Sequence, residues 1–188
     1  MVLIFKNFLS DFECKKLNEW VDLGIENKWL DKGSKTGLGW VCEKRLTTRR
    51  YAKSFDYSSD VYDVQNKISK FLDIIDLPKS VFGGGKNGIV VSCTYVGGDV
   101  HSHVDPAEGS LQVLRCNVLS RSADDGGKLY VGGNEIVINT GDLHCYLPSK
   151  IEHYVTEVKG QTSRVLWMFG YQCSIERFNN LCLAHKQT

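Results

Sequence analysis

A mainly β (α+β) fold, built as a double-sheet jelly roll with helices supporting one face, is what the sequence predicts. Three observations carry this. After residue 85 about eight short apolar runs follow one another at roughly ten-residue spacing, broken by Gly, Asp and Asn: 88–96, 99–105, 111–120, 128–132, 135–139, 142–147, 151–158 and 164–172. The helical patterns lie in the first half of the chain. Gly is frequent at 18 and Pro rare at 3, the balance of a chain with many tight turns and no Pro-rich linker. A length of 188 residues suits one domain. Within it, 1–80 reads as an N-terminal strand with supporting helices and 81–174 as the jelly-roll core.

The elements follow in order. VLIF at 2–5 reads as a short strand. Ser10 and Glu13 have capping-box spacing, and Leu9 and Cys14 have the spacing of a hydrophobic staple, so a helix opens at Asp11 and carries Cys14, Leu17, Val21, Trp20 and Gly24 on one face. From Ile25 to Arg50 the periodicity dissolves into a stretch rich in Gly, Lys and Thr, longer than a simple connection needs, which reads as a lid or binding loop. Its GSKTG lacks the spacing and the preceding strand of a phosphate-binding loop. A second helix spans about 59–75, with Val61, Val64, Ile68, Phe71, Leu72 and Ile75 on one stripe and Pro78 just beyond.

Composition excludes several functions. Lys plus Arg number 23 and Asp plus Glu 22, a net charge of +1, so no broad grip on phosphate backbones is written into the chain and nucleic acid is not an expected partner. No run approaches the length of a membrane span, and the opening apolar stretch is too short for a signal-peptide core, which predicts a soluble, cytoplasmic protein. The seven cysteines (14, 42, 93, 116, 145, 173, 182) form an odd set with no C-x-x-C pair, which fits neither a disulfide framework nor a zinc finger; Cys93, Cys116, Cys145 and Cys173, within strand-like apolar runs, read as buried thiols in a reducing compartment.

The chemistry concentrates in VGGDVHSHVDP. His103 and Asp105 stand at i and i+2, which in a strand project to one face, and His153 is the natural third ligand because a folded-back sheet brings its distant strand face to face with theirs. Two His and one carboxylate make the facial triad of non-haem Fe(II) oxygenases, with positions left open for a chelating cosubstrate and O2. Arg164 opens an otherwise apolar strand and calls for a planar anion, such as the far carboxylate of a dicarboxylate. In LQVLRCNVLS, Leu114, Cys116 and Val118 alternate with Arg115 and Asn117. If the apolar set faces the supporting layer, the polar pair points into the barrel, where Asn117, with Tyr95 at the end of IVVSCTY, would contact the cosubstrate. His101-Ser102-His103-Val104-Asp105 also matches the front of the HxHxDH signature of metallo-hydrolases, but the closing His is Pro106 here. His101 reads as a supporting or rim residue, His144 as structural, His185 as exposed, and Lys44, Arg45, Arg49 and Arg50 as a solvated loop or a receiver for an anionic substrate.

The order TYVGGDVHSHVDP, LRCNVLSRSADDGGKLYV, GDLHCYLPSKIEHYVTEVKGQTSRVLWMFGY resembles the 2-oxoglutarate/Fe(II)-dependent dioxygenases, in particular their prolyl 4-hydroxylase-like branch, and FKNFLSDFECKKLNEW resembles the strand and helix that precede the barrel there. The resemblance implies a double-stranded β-helix, iron held by His103, Asp105 and His153, and the 2-oxoglutarate C5 carboxylate held by Arg164, with Asn117 and Tyr95 as further cosubstrate contacts. It implies hydroxylation of a peptidyl (prolyl-like) or small-molecule substrate, coupled to conversion of 2-oxoglutarate and O2 to succinate and CO2, with ascorbate as a candidate reductant. Arg where many collagen-type enzymes have Lys argues against that particular substrate. Two alternatives stay open: a catalytically silent metal- or 2-oxoglutarate-binding jelly-roll module, and a metallo-hydrolase.

Overall fold

The structure is a computed structural model and describes residues 1–26, 57–74, 88–106 and 112–185, together with the backbone of 31–32 and 49–52. Alternation along the strands decides its layers. In β4 (Ile89–Thr94), β6 (Gln112–Arg121), β10 (Leu143–Tyr146) and β13 (Arg164–Cys173), one set of alternate residues is apolar: Ile89, Val91 and Cys93; Leu114, Cys116 and Val118; Leu143 and Cys145; Val165, Trp167, Phe169, Tyr171 and Cys173. All of them join one core cluster with Leu17 and Val21 of α1 (Asp11–Glu26), Val61, Val64 and Ile68 of α2 (Ser59–Phe71), and Phe178 and Cys182 of α3 (Ile175–Ala184). Each large apolar side chain so buried contributes about 1.5–3 kcal/mol, so this helix-to-sheet layer is the main source of stability. The intervening residues, among them Ser92, Thr94, Asn117, His144, Tyr146 and Arg164, therefore point the other way, into the barrel.

Two sheets build that barrel. The larger has the order β1-β10-β6-β13-β4-β3-β2, where β1 is Leu3–Phe5, β2 Asp31–Lys32 and β3 Arg49–Ala52. The smaller has the order β5-β11-β8-β9, with β5 Val100–His103, β8 Leu129–Val131, β9 Asn134–Ile136 and β11 His153–Val155. Strands β7 (Asp125–Gly126) and β12 (Val158–Lys159) pair with each other at its end. Every pairing among the described residues is antiparallel. The eight apolar runs are thus the eight strands β4, β5, β6, β8, β9, β10, β11 and β13, divided four and four as a double-sheet jelly roll requires. A small second cluster of Leu129, Val131, Tyr146 and Val155 packs between the sheets.

Local chemistry fixes the helix that carries the layer. The Glu13 carboxylate accepts from the Ser10 backbone N–H (2.8 Å) and the Ser10 hydroxyl accepts from the Glu13 N–H (3.3 Å), a reciprocal capping box. Leu9 and Cys14, the staple pair, are both buried. Trp20 then reaches the Tyr57 and Trp167 rings, at centroid distances of 5.3 and 5.4 Å, which ties α1 to the sheet.

Four features depart from the sequence reading. Helix α2 ends at Phe71, short of residue 75, and Phe71, read on its buried stripe, is 46% exposed. The segment 25–50, read as a loop, contributes β2 and the start of β3 to the larger sheet's edge; its remaining residues after Glu26 lie outside the described ones, so a lid there is not addressed. Helix α3, capped by Ser174 through the Arg177 N–H, had not been expected. His185 is half-buried, not exposed, and stacks on Phe71.

Asp142 anchors the chain's start to the barrel. It is fully buried, and its carboxylate accepts from the backbone N–H groups of Asn7 (2.9 Å) and Asn139 (2.7 Å) and from Lys6 Nζ (2.8 Å). Burial pushes its pKa up, but the Lys6 and backbone hydrogen bonds outweigh burial and hold the carboxyl below its ordinary value. A depressed folded-state pKa gives stability that is present above the unfolded value and lost as pH falls through the folded one. Asp142→Asn is therefore expected to lower stability at neutral pH by about 1.5–3 kcal/mol, with the half-exposed Lys6 contributing little of it. In urea melts from pH 7 to 2.5, the variant should show a flatter acid limb than the parent.

Candidate metal centre and cosubstrate pocket

The smaller sheet brings the three predicted ligands together. His103 and His153 are direct cross-strand partners on β5 and β11, neighbours within one sheet and not on facing sheets as the sequence reading had it. Their rings lie 4.2 Å apart between centroids, and His103 Nε2 is 3.4 Å from Asp105 Oδ1. Ligand atoms of His103, Asp105 and His153 all fall within 4.8 Å of one another, the one such group among the described residues. Asp105 lies just past the end of β5 and is held there by its backbone N–H, which donates to Pro148 O at 3.0 Å.

The register between β5 and β11 shifts between the pairs His103–His153 and Val100–Val155, a bulge centred on His101 and Ser102. Bulges of this kind re-aim side chains beside functional sites. Here the bulge also turns the His101 carbonyl onto His103 Nδ1 at 2.8 Å. The Ile151 carbonyl does the same for His153 Nδ1 at 3.1 Å. Each carbonyl accepts only if Nδ1 carries the proton, so Nε2 is the atom each ring offers a cation, His103 Nε2 by giving up the proton it shares with Asp105. The donor set of two neutral imidazoles and one carboxylate fits a facial Fe(II) site.

Electrostatics favour the ligand form of Asp105 and of His153. Burial pushes the Asp105 carboxyl up, but the hydrogen bond to His103 and the nearby Arg115 and His153 outweigh it, so it is held below its ordinary value. Burial, then His103, pull His153 below the usual imidazole value, against the Ile151 carbonyl and Asp105. Arg115 stands on the barrel face of β6 opposite Gly170, where an added Cβ would come within 3.1 Å of its guanidinium.

Of the predicted cosubstrate contacts, Asn117 and Arg164 lie on the barrel face, 2% and 3% exposed. Tyr95 is not brought to them. It is half-buried, packs against the helix-side cluster and shares a hydrogen bond with Cys93, because it continues the odd-numbered face of β4 that turns away from the barrel. The stem of Arg164 rests on Gly127, whose φ of +60° disfavours any side chain and whose added Cβ would approach Arg164 Cδ to 3.1 Å. Gly127→Ala is expected to combine backbone strain of about 1–3 kcal/mol with displacement of Arg164. Thermal melting reads the first effect, and a weakened 2-oxoglutarate isotherm in the folded variant reads the second.

Two barrel residues escaped the sequence reading as site residues. His144 is fully buried, with Nε2 3.2 Å from Asn117 Nδ2, and Tyr146 sets its ring against His153 at 5.3 Å in an edge contact. Both alternate with Leu143, Cys145 and Leu147, the same signal that placed Asn117.

Such a site on such a barrel defines a class of fold, the double-stranded β-helix of the prolyl hydroxylases. No family model matches the chain, and no curated protein matches it. Among solved structures, the viral collagen prolyl hydroxylase of Paramecium bursaria Chlorella virus-1, in its 2-oxoglutarate complex, is similar with a TM-score of 0.64 at 14% identity, over 92% of this chain and 95% of that one. A prolyl hydroxylase of Trichoplax adhaerens, in complex with a hypoxia inducible factor peptide fragment, gives 0.68 at 12% identity, over 95% and 86%. HygX of Streptomyces hygroscopicus, with nickel, 2-oxoglutarate and hygromycin B bound, gives 0.61 at 12% identity, over 93% and 83%. The fold expected from the resemblance is the fold found.

Proposed function

We propose that the protein is an Fe(II)- and 2-oxoglutarate-dependent dioxygenase that hydroxylates a peptidyl or small-molecule substrate. The observation that carries this reading is the cluster of His103, Asp105 and His153, with both Nδ1 atoms capped by carbonyls, on a barrel that also buries Arg164 and Asn117. Iron held by these three residues would supply O2 activation coupled to decarboxylation of 2-oxoglutarate to succinate and CO2. The chain's own residues do the rest. Arg164 offers a planar, permanently charged fork for the far carboxylate of the cosubstrate, and burial among barrel strands keeps water from competing for it. The carbonyls of His101 and Ile151 hold the two imidazoles in register, and Arg115 favours the ionised form of Asp105.

Both a peptide complex and a small-molecule complex occur among the structures of this fold, which supports keeping both substrate classes. No helix among the described residues is long and apolar enough to cross a membrane. Anaerobic addition of Fe(II) and 2-oxoglutarate should give a weak visible charge-transfer band, and aerobic turnover with ascorbate should release succinate. The band without succinate across a broad panel of peptides and metabolites would favour a silent binding module. Failure of 2-oxoglutarate to bind would refute the proposal.

A further inference from the structure

His144 has a donor that the fold does not use. Its imidazole is fully buried on the barrel face of β10, directly across from Asn117 on β6. The Asn117 amide nitrogen has hydrogens and no lone pair to offer, so at 3.2 Å it donates to His144 Nε2, and the imidazole proton is then on Nδ1. Burial, reinforced by Arg164 and opposed by Asp142, lowers the His144 pKa to about 3, so the ring is neutral throughout the physiological range. Among the described residues, His144 Nδ1 makes no hydrogen bond, and neither does the buried Asn117 Oδ1. A buried donor left in this way is costly, commonly as much as the hydrogen bond it forgoes. The ring lies on the same barrel wall as Arg164, whose charge reaches it, so a cation cannot be the missing partner.

We infer that His144 is a second residue in contact with the far carboxylate of 2-oxoglutarate, a neutral Nδ1–H donor held in that tautomer by Asn117 and acting with Arg164. The inference rests on the reading of this pocket as a 2-oxoglutarate site and adds a residue to it. A neutral donor suits the position because a second cation beside Arg164 would have to be desolvated without a partner of its own whenever the carboxylate leaves. Asn117 is then a positioning residue, acting through His144.

Two measurements test this on the full chain. Nitrogen-15 NMR of the histidines, before any ligand is added, should show His144 protonated on Nδ1 alone and unchanged from pH 5 to 8; the opposite tautomer or a titrating ring overturns the inference. The Ni(II)-loaded protein is then titrated with 2-oxoglutarate and, separately, with pyruvate, a 2-oxo acid without the far carboxylate. His144→Phe should weaken 2-oxoglutarate about tenfold or more and leave pyruvate unchanged, while His144→Gln, which keeps a donor, should recover part of the loss. Equal losses for both acids, or none for 2-oxoglutarate in a folded variant, would overturn it. Failure of the parent protein itself to bind 2-oxoglutarate would overturn the proposed function as well, a result distinct from failure confined to the variants.

Discussion

His103→Ala is expected to reduce Fe(II) affinity by well over a hundredfold and to abolish turnover. Removing only the outer hydrogen bond of a metal-bound His commonly costs about 10–100-fold in affinity, and this substitution removes the ligand itself together with its hold on Asp105. The site offers three donors, so the remaining pair, Asp105 and His153, would grip a cation through one carboxylate and one imidazole. His103 is the best choice of the three for the experiment. It is half-exposed on a short strand, whereas His153 is 8% exposed and supports the Tyr146 ring, so its removal would disturb packing too. Fe(II) titration under nitrogen, followed through the charge-transfer band, gives the affinity, and a melting curve shows that the barrel has survived. Parent-like iron affinity in His103→Ala would remove the metal centre from the account.

The second large effect belongs to Arg164. Arg164→Leu takes away the one buried guanidinium among the described residues, the group proposed to hold the far carboxylate. Truncating one side of a buried, charge-assisted hydrogen-bonded pair costs about 2–5 kcal/mol, which is roughly a 30-fold to several-thousand-fold loss of affinity. The loss should appear almost wholly as a raised KM for 2-oxoglutarate. In the proposed reading the reacting end of the cosubstrate is at the metal, so kcat at saturation should change far less. Arg164→Lys should fall between the two, because a point charge replaces the fork. Initial-rate succinate assays over a wide 2-oxoglutarate range separate the two constants. A kcat defect with unchanged KM would assign Arg164 a different role.

Much of this was legible before the structure because strands announce their faces. The alternation of Leu114, Cys116 and Val118 with Arg115 and Asn117 placed Asn117 in the barrel, and the Ser10–Glu13 spacing located the start of α1. The elements that went unread are short or lack a pattern. Arg49-Arg50-Tyr51-Ala52 has no apolar alternation, and it is a strand because β4 has an edge to pair. Helix α3 buries only Phe178 and Cys182, too thin a stripe to stand out. The site was legible in composition more than in layout. His103 and His153 were paired by residue type and order, but their side-by-side placement depends on which strands become neighbours, a property of the whole topology. Tyr95 was misplaced because a residue just beyond a strand end keeps that strand's parity, and Tyr95 shares parity with Cys93.

The same two-faced sheet keeps most of the protein's sulfur apart from the candidate metal centre. Cys93, Cys116, Cys145 and Cys173 all sit on the helix side of the larger sheet, at most 2% exposed, with a full layer of backbone between them and the barrel. Burial pushes the Cys93, Cys116 and Cys173 thiols up, away from the thiolate form that peroxides attack. Oxidants released by uncoupled turnover of the proposed enzyme would enter a chamber whose β13 wall presents one sulfur, the thioether of Met168, and oxidation of that thioether is the kind of lesion repair enzymes reverse.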